Sequence, residues 1–286
     1  MCVSTQSGRS AFLYWPMLPL KLAVVALAGV VAGSHSPPKQ YYLALGDSLA
    51  YGIQPAKVAA GLPPSGFHTG YVDVFAKRLR ALSPAIHVVN YGCPGESTTS
   101  YSLGGCPWTM AGLPLHDPHP GSQADAARSF LNTHRGRVDL VTVSLWSNDA
   151  NEFIQGCHVD PICIGDNAPR VIGEFAGRLS SILNVLREAA PDTQVVVVGA
   201  VDVNVGAFAF SHPLIQAINA AMADVADRAG ARFADPFPVF NPAGDTGAAL
   251  CPLTGVCSPV RDTHPSDLGY QVLADLIAYQ LRPGAL

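Results

Sequence analysis

Ser48, Asn148 and His264 each lie in a short motif of a kind that can perform acyl transfer. Ser48 stands in Gly46-Asp47-Ser48-Leu49, Asn148 in Trp146-Ser147-Asn148-Asp149 and His264 in Asp262-Thr263-His264-Pro265. A fourth motif, Asn90-Tyr91-Gly92-Cys93-Pro94-Gly95, contributes Gly95. A serine hydroxyl becomes a nucleophile when an adjacent base takes its proton, and histidine titrates close enough to neutrality to be that base. The Asn148 amide and the backbone N–H groups of Ser48 and Gly95 are candidate donors to an oxyanion, each worth roughly 3–4 kcal/mol. Every motif also has a plainer reading. Ser48 suits a helix cap or turn, Asn148-Asp149 an Asx-turn, Pro94-Gly95 a type II turn, and His264 a solvated position near a helix start.

What raises the motifs above these readings is their place among the elements. Apolar and β-branched runs predict strands over 41–45, 86–91, 140–145, 195–201 and 232–234. Between them, apolar residues recur at three- and four-residue steps: Val72, Phe75, Leu79 and Leu82; Phe175, Leu179, Ile182 and Leu186; Leu214, Ile218, Met222 and Val225; Leu268, Val272, Leu276 and Tyr279. A weaker helix is expected over 122–134. Strands alternating with helices predict a parallel sheet covered on both faces, an α/β/α sandwich. Helix-to-strand connections are tight, whereas the strand-to-helix connections over 46–70, 92–121, 147–167, 202–211 and 235–264 are long. In a parallel sheet all the long connections gather at the carboxyl edge, where open α/β sheets bind ligands. All four motifs fall in that set.

The order and content of these motifs resemble the SGNH hydrolases, the GDSL esterase/lipase family, over nearly all of 41–281. The resemblance implies a flavodoxin-like three-layer sandwich with a five-stranded parallel sheet and no metal or other cofactor. It implies Ser48 as nucleophile and first oxyanion donor, Gly95 and Asn148 as further donors, and His264 as base. Two positions depart from the family pattern. Trp146 stands where the third block opens with glycine, so a bulky ring narrows the site or walls an acyl pocket. The family's aspartate lies three residues before the histidine, but position 261 is Arg261 and Asp262 lies only two before. The partner of His264 is therefore Asp262 in an altered turn, or a main-chain carbonyl near Val260 and Arg261.

The chain has 286 residues, 49% hydrophobic and 13% charged, with a net charge of −4. That suffices for one large domain, expected over 41–286, and leaves no basic footprint for nucleic acid. Residues 1–34 read as a secretory signal: Lys21, an apolar run over 22–32 too short to span a membrane, then small residues, with Met17 an alternative start. A linker follows over 35–40. Without Cys2, six cysteines remain, and in an exported chain an even count predicts disulfides. Of fifteen connectivities the local one is favoured: Cys93–Cys106, Cys157–Cys163 and Cys251–Cys257. None of the three has tight metal-ligand spacing, and His116 and His119 lack a third ligand, so a solvated turn is expected there. Asp47 is expected to fix the turn beneath Ser48. Trp108, Phe153, Phe208 and Phe210 either line an acyl pocket or pack loops onto the sheet.

The expected protein is thus a secreted, monomeric serine esterase or lipase. It would act through an acyl-enzyme on a small carboxylic ester, a lipid or fatty-acyl ester first, with no nucleic-acid partner and no stable membrane insertion after signal removal. A carbohydrate O-deacetylase is the alternative enzyme. A catalytically inactive glycan- or lipid-binding sandwich is the alternative of another class.

Overall fold

Five strands form one parallel sheet in the computed structural model, which describes residues 39–204, 210–245 and 247–281. In chain order the elements are β1 (Tyr41–Gly46), α1 (Ser48–Tyr51), α2 (Pro55–Ala59), a 3-10 turn (Pro64–Phe67), α3 (Tyr71–Leu82), β2 (His87–Asn90), α4 (Thr98–Leu103), α5 (Pro107–Met110), α6 (Gln123–Thr133) and β3 (Val138–Ser144). There follow α7 (Ser147–Gly156), α8 (Pro161–Ala189), β4 (Gln194–Val198), α9 (Ser211–Arg228), β5 (Arg232–Ala234), α10 (Phe237–Phe240), α11 (Leu250–Leu253) and α12 (Asp267–Gln280). The strand order is β2-β1-β3-β4-β5, the flavodoxin-like order. β1 and β4 are buried almost throughout, as apolar strands covered on both faces must be, while the edge strands β2 and β5 are more exposed. α3 packs against α12 on one side of the sheet, and α8 against α6 and α9 on the other. The three- and four-residue stripes face inward: Val72, Phe75 and Leu79 on α3 and Phe175, Leu179, Ile182 and Leu186 on α8 are all buried.

From β1 the chain goes outward to β2, then returns past β1 to β3. The winding reverses between β1 and β3, and such a reversal opens a crevice above the carboxyl ends of the two strands. Ser48 follows β1 directly and Asn148 follows β3, one on each lip. The turn after β1 depends on Gly46, whose φ is 138°. A Cβ there would lie 2.3 Å from the Ser144 carbonyl oxygen of β3, so only glycine lets the chain turn so close to its neighbour.

Two expectations need correction. The connection over 147–167 is largely helical, formed by α7 and the start of α8. Pro161 occupies the first turn of α8, where its missing N–H is not needed, and the Asp160 side chain caps Ile162 N at 3.1 Å. Pro169 is accommodated inside the helix. The fourth strand ends at Val198 rather than 201. Beyond Gly199, which donates to the Ala234 carbonyl at 2.9 Å, β5 is too short to pair further. Side-chain amides take over: Asn219 bonds both N–H and C=O of Ala200 (2.7 and 2.9 Å), and Asn241 both those of Asp202 (2.9 and 2.8 Å). This main chain peels away from the sheet toward the crevice. The leader over 1–34 and most of the 35–40 linker lie outside the described residues. No helix among the described residues is long and apolar enough to cross a membrane.

Candidate active site

Ser48 is the first residue of α1 and is buried but for a small fraction. Its position is fixed from below by Asp47, which is fully buried. Asp47 Oδ1 accepts from Leu49 N at 2.9 Å, capping α1, and Oδ2 accepts from the Ser147 hydroxyl at 2.6 Å. One carboxylate thus ties the loop after β1 to the start of α7. Burial pushes the Asp47 carboxyl up to about 6, against the pull of the Ser147 and Leu49 hydrogen bonds and of nearby His264.

His264 reaches Ser48 from the loop before α12. Its Nε2 lies 3.0 Å from Ser48 Oγ, and its Nδ1 lies 2.8 Å from Asp262 Oδ1. The same Asp262 oxygen accepts the backbone N–H of His264 at 3.0 Å. The carboxylate of Asp262, rather than a carbonyl of Val260 or Arg261, therefore partners the ring. Nδ1 is then the protonated nitrogen, leaving Nε2 free to accept from the serine hydroxyl.

Asn148 lies in the first turn of α7 and donates Nδ2 to the Glu96 carbonyl at 2.9 Å. It lines the same cavity as Ser48 and His264. Gly95 does not line that cavity; it belongs to the turn beside Glu96 that the Asn148 amide clamps. The cavity holds about 180 Å³, and its walls beyond the polar end are apolar, with Leu49, Trp146, Ile154, Val201, Ile215 and Phe240 among them.

Several residues that hold this arrangement carried little or no sequence signal. Glu96 is buried beside Gly95, its carboxyl raised by burial, and it accepts from Gln123 Nε2 at 3.0 Å. Gln123 also bonds Gly46 twice, taking its N–H at 2.6 Å and donating to its carbonyl at 3.0 Å. Asp149 accepts from Thr98 N at 2.9 Å, from the Thr98 hydroxyl, and from Arg178 at 3.2 Å; Arg178 Nε also donates to Thr98 Oγ1 at 2.7 Å. These bonds lash the loops after β1, β2 and β3 together. Asp149 closes the third motif, where the sequence offered only a turn for it, and Glu96 follows the second motif directly, which is its only hint in the sequence.

The aromatic candidates divide. Trp108 packs on Tyr51 with ring centroids 5.6 Å apart and donates to the Pro114 carbonyl at 3.0 Å, away from the cavity. Phe153 lies behind Trp146, Phe210 packs against the core, and Phe208 falls outside the described residues. His116 contacts the Tyr51 carbonyl at 2.9 Å, so it is anchored to the protein rather than free in a turn. His119 also departs from the solvated turn: both ring nitrogens are buried, and burial lowers its pKa against the pull of the Pro120 backbone. The ring stands 4.9 Å from that of Tyr91. Bridges join Cys93 to Cys106, Cys157 to Cys163 and Cys251 to Cys257. The grouping of possible metal ligands found among the described residues, Cys93, Glu96 and Cys106, has both sulfurs taken up in the first bridge.

The model of the GDSL-like lipase/acylhydrolase family matches residues 44–272. No curated protein matches the sequence. Among solved structures, the extracellular lipase of Streptomyces rimosus is similar at a TM-score of 0.58 and 20% identity, covering 85% of this chain and 100% of that one. Phospholipase A1 of Streptomyces albidoflavus NA297 gives 0.58 and 17%, with 85% and 100% covered. The acetylxylan esterase Axe2 of Geobacillus stearothermophilus gives 0.53 and 16%, with 85% and 94% covered. At these identities the likeness is one of fold.

Proposed function

The chain belongs to the GDSL-like lipase/acylhydrolase family, and from that premise we propose that it is an exported serine hydrolase of carboxylic esters. The observation that carries this reading is the hydrogen-bonded line from Ser48 Oγ through His264 to Asp262, at 3.0 and 2.8 Å. His264 Nε2 takes the Ser48 proton as Oγ attacks the ester carbonyl. Asp262 holds the ring in the productive tautomer and stabilises the imidazolium. The Ser48 N–H and the Asn148 amide, whose second hydrogen is not used on Glu96, receive the oxyanion, while Gly95 belongs to the turn that the Asn148 amide clamps. His264 then protonates the leaving alcohol, and water repeats the sequence on the acyl-enzyme. None of these steps calls on a cofactor.

The apolar cavity walls support an ester with an aliphatic acyl group, a lipid or fatty-acyl ester of short chain first. A carbohydrate O-deacetylase is the second reading, favoured by a cavity small enough to suit an acetyl group. Release of acetate from acetylated xylan, set against turnover of p-nitrophenyl butanoate, separates the two. Export is supported by three disulfides, which persist in oxidising compartments, and by the composition of the first 34 residues. The primary test is Ser48→Ala together with labelling by a fluorophosphonate. Wild type should be labelled at Ser48, and the variant should lose turnover by about 10⁴-fold or more while staying folded. Failure of wild type to label would leave a binding protein built on a hydrolase scaffold.

A further inference from the structure

A second apolar pocket lies directly behind Trp146. It holds only about 20 Å³; Trp146, Phe153, Ile172, Phe175 and Ile218 are among its largely apolar lining, which also includes Asp149, tied to Thr98 and Arg178. Trp146 and Ala150 also line the Ser48 cavity, so the two spaces share a wall. Phe153 comes from α7, Ile172 and Phe175 from α8, and Ile218 from α9. The space behind the indole therefore leads between three helices, away from the crevice.

Trp146 is 7% exposed, and its Nε1 is buried without a hydrogen-bond partner. A buried orphan donor is unfavourable, so the indole gains nothing from its N–H. What the ring supplies there is bulk, at a position two residues before Asn148. The cavity it lines, about 180 Å³, is smaller than the roughly 300–1,000 Å³ of sites that enclose drug-sized ligands.

We infer that Trp146 sets the length of the acyl chain this site accepts. The inference rests on the reading of Ser48 as nucleophile and deepens it. The acyl chain of a bound ester runs from Ser48 along Leu49, Ile154 and Ile215 and stops against the indole. Short chains fit and longer ones meet the ring. Without the indole, the two spaces join into one acyl channel between α7, α8 and α9.

The test is the ratio of kcat/KM for p-nitrophenyl octanoate to that for p-nitrophenyl butanoate, with acetate and dodecanoate esters bracketing the series. It is measured in wild type, Trp146→Ala and the milder Trp146→Leu. A ratio taken within one protein cancels the amount of correctly folded enzyme, and the leucine variant decides the matter if the alanine variant does not fold. Wild type should fall at least tenfold from butanoate to octanoate. Either variant should raise the ratio at least tenfold over wild type, in line with the roughly tenfold or greater effect of a single methylene in a fitted apolar pocket. A wild type that prefers octanoate or dodecanoate, or active variants that keep its profile, would overturn the inference alone. A wild type that hydrolyses none of the esters and does not react with a fluorophosphonate would remove the hydrolase reading, and this inference with it.

Discussion

A carboxylate only two residues from the histidine it serves must reach the ring around a tight turn. Arg261 makes that turn in the left-handed region, with φ 47°. Asp262 Oδ1 then accepts both the backbone N–H and the ring N–H of His264, at 3.0 and 2.8 Å. The double contact predicts how the site tolerates Asp262→Asn. The backbone N–H repels an amide NH₂, so the asparagine presents its oxygen and the histidine tautomer survives. The loss in kcat/KM should stay well under the roughly 10⁴-fold that a wrong tautomer costs, whereas His264→Ala should lose about that much or more. Equal losses in two folded variants would show that the charge, not the orientation, is what Asp262 supplies. Asp47 gives a second residue-scale prediction. Its carboxyl is held at about 6 by burial, above the roughly 3.9 of an unfolded aspartate. Between about pH 4 and 6 the folded chain keeps a proton that the unfolded chain has released. This group's contribution to stability is therefore full below about pH 4 and is lost as pH rises through 6. Asn at position 47 does not titrate, and Ser147 can turn its hydroxyl to accept from the new amide. Asp47→Asn should gain on wild type by on the order of 2–3 kcal/mol as pH rises across that window, read from chemical denaturation at each pH.

At the scale of elements, the loop that delivers His264 has little regular structure of its own and borrows rigidity from α11 and the bridge beside it. Gly255 N donates to the His264 carbonyl at 3.0 Å, Ser266 N to the Leu253 carbonyl at 2.9 Å and Ser266 Oγ to the Pro252 carbonyl at 2.7 Å. The Cys251–Cys257 bridge closes the segment that supplies Gly255. Contact is close: a Cβ on Gly255 would lie 2.7 Å from Asp262 Cβ and 2.8 Å from its carbonyl oxygen. Gly255→Ala must push Asp262 aside and with it the ring of His264. A displacement of about 1 Å at a reacting group costs on the order of 100-fold. The variant should lose at least tenfold in kcat with a smaller change in KM; an unchanged kcat would mean the loop absorbs the methyl group elsewhere.

Over the whole molecule, the three bridges join cysteines 13, 6 and 6 positions apart, each in chain that follows the carboxyl end of a strand. Cys157 is the bridge cysteine within the main apolar core, but most of that core comes from the stripes of the sheet and its helices. Cys251 and Cys257 are exposed, so a mild reductant reaches that bridge readily. Titration with dithiothreitol should abolish ester turnover while the far-ultraviolet circular dichroism stays near its starting value. Simultaneous loss of both signals would show that the sheet itself depends on the bridges.

The sequence by itself determined the alternation of strands and helices, the grouping of the motif residues at one sheet edge and the local spacing of the cysteines. Each of these is written in neighbouring residues: a periodicity, a turn composition or a short interval. Apolar strand runs and three-and-four stripes announced β1, β4, α3 and α8, while the helical stretch after β3 showed no such stripe and read as a long connection. The approach of His264 Nε2 to Ser48 across 216 residues belongs to the tertiary structure. So do the choice of Asp262 over a carbonyl, the lashing of Gly46 and Glu96 by Gln123, and the partition that Trp146 makes between two apolar spaces. These depend on distances between loops that no local pattern encodes, because a loop's path is set by whatever buried hydrogen-bond partner it meets when the sheet closes.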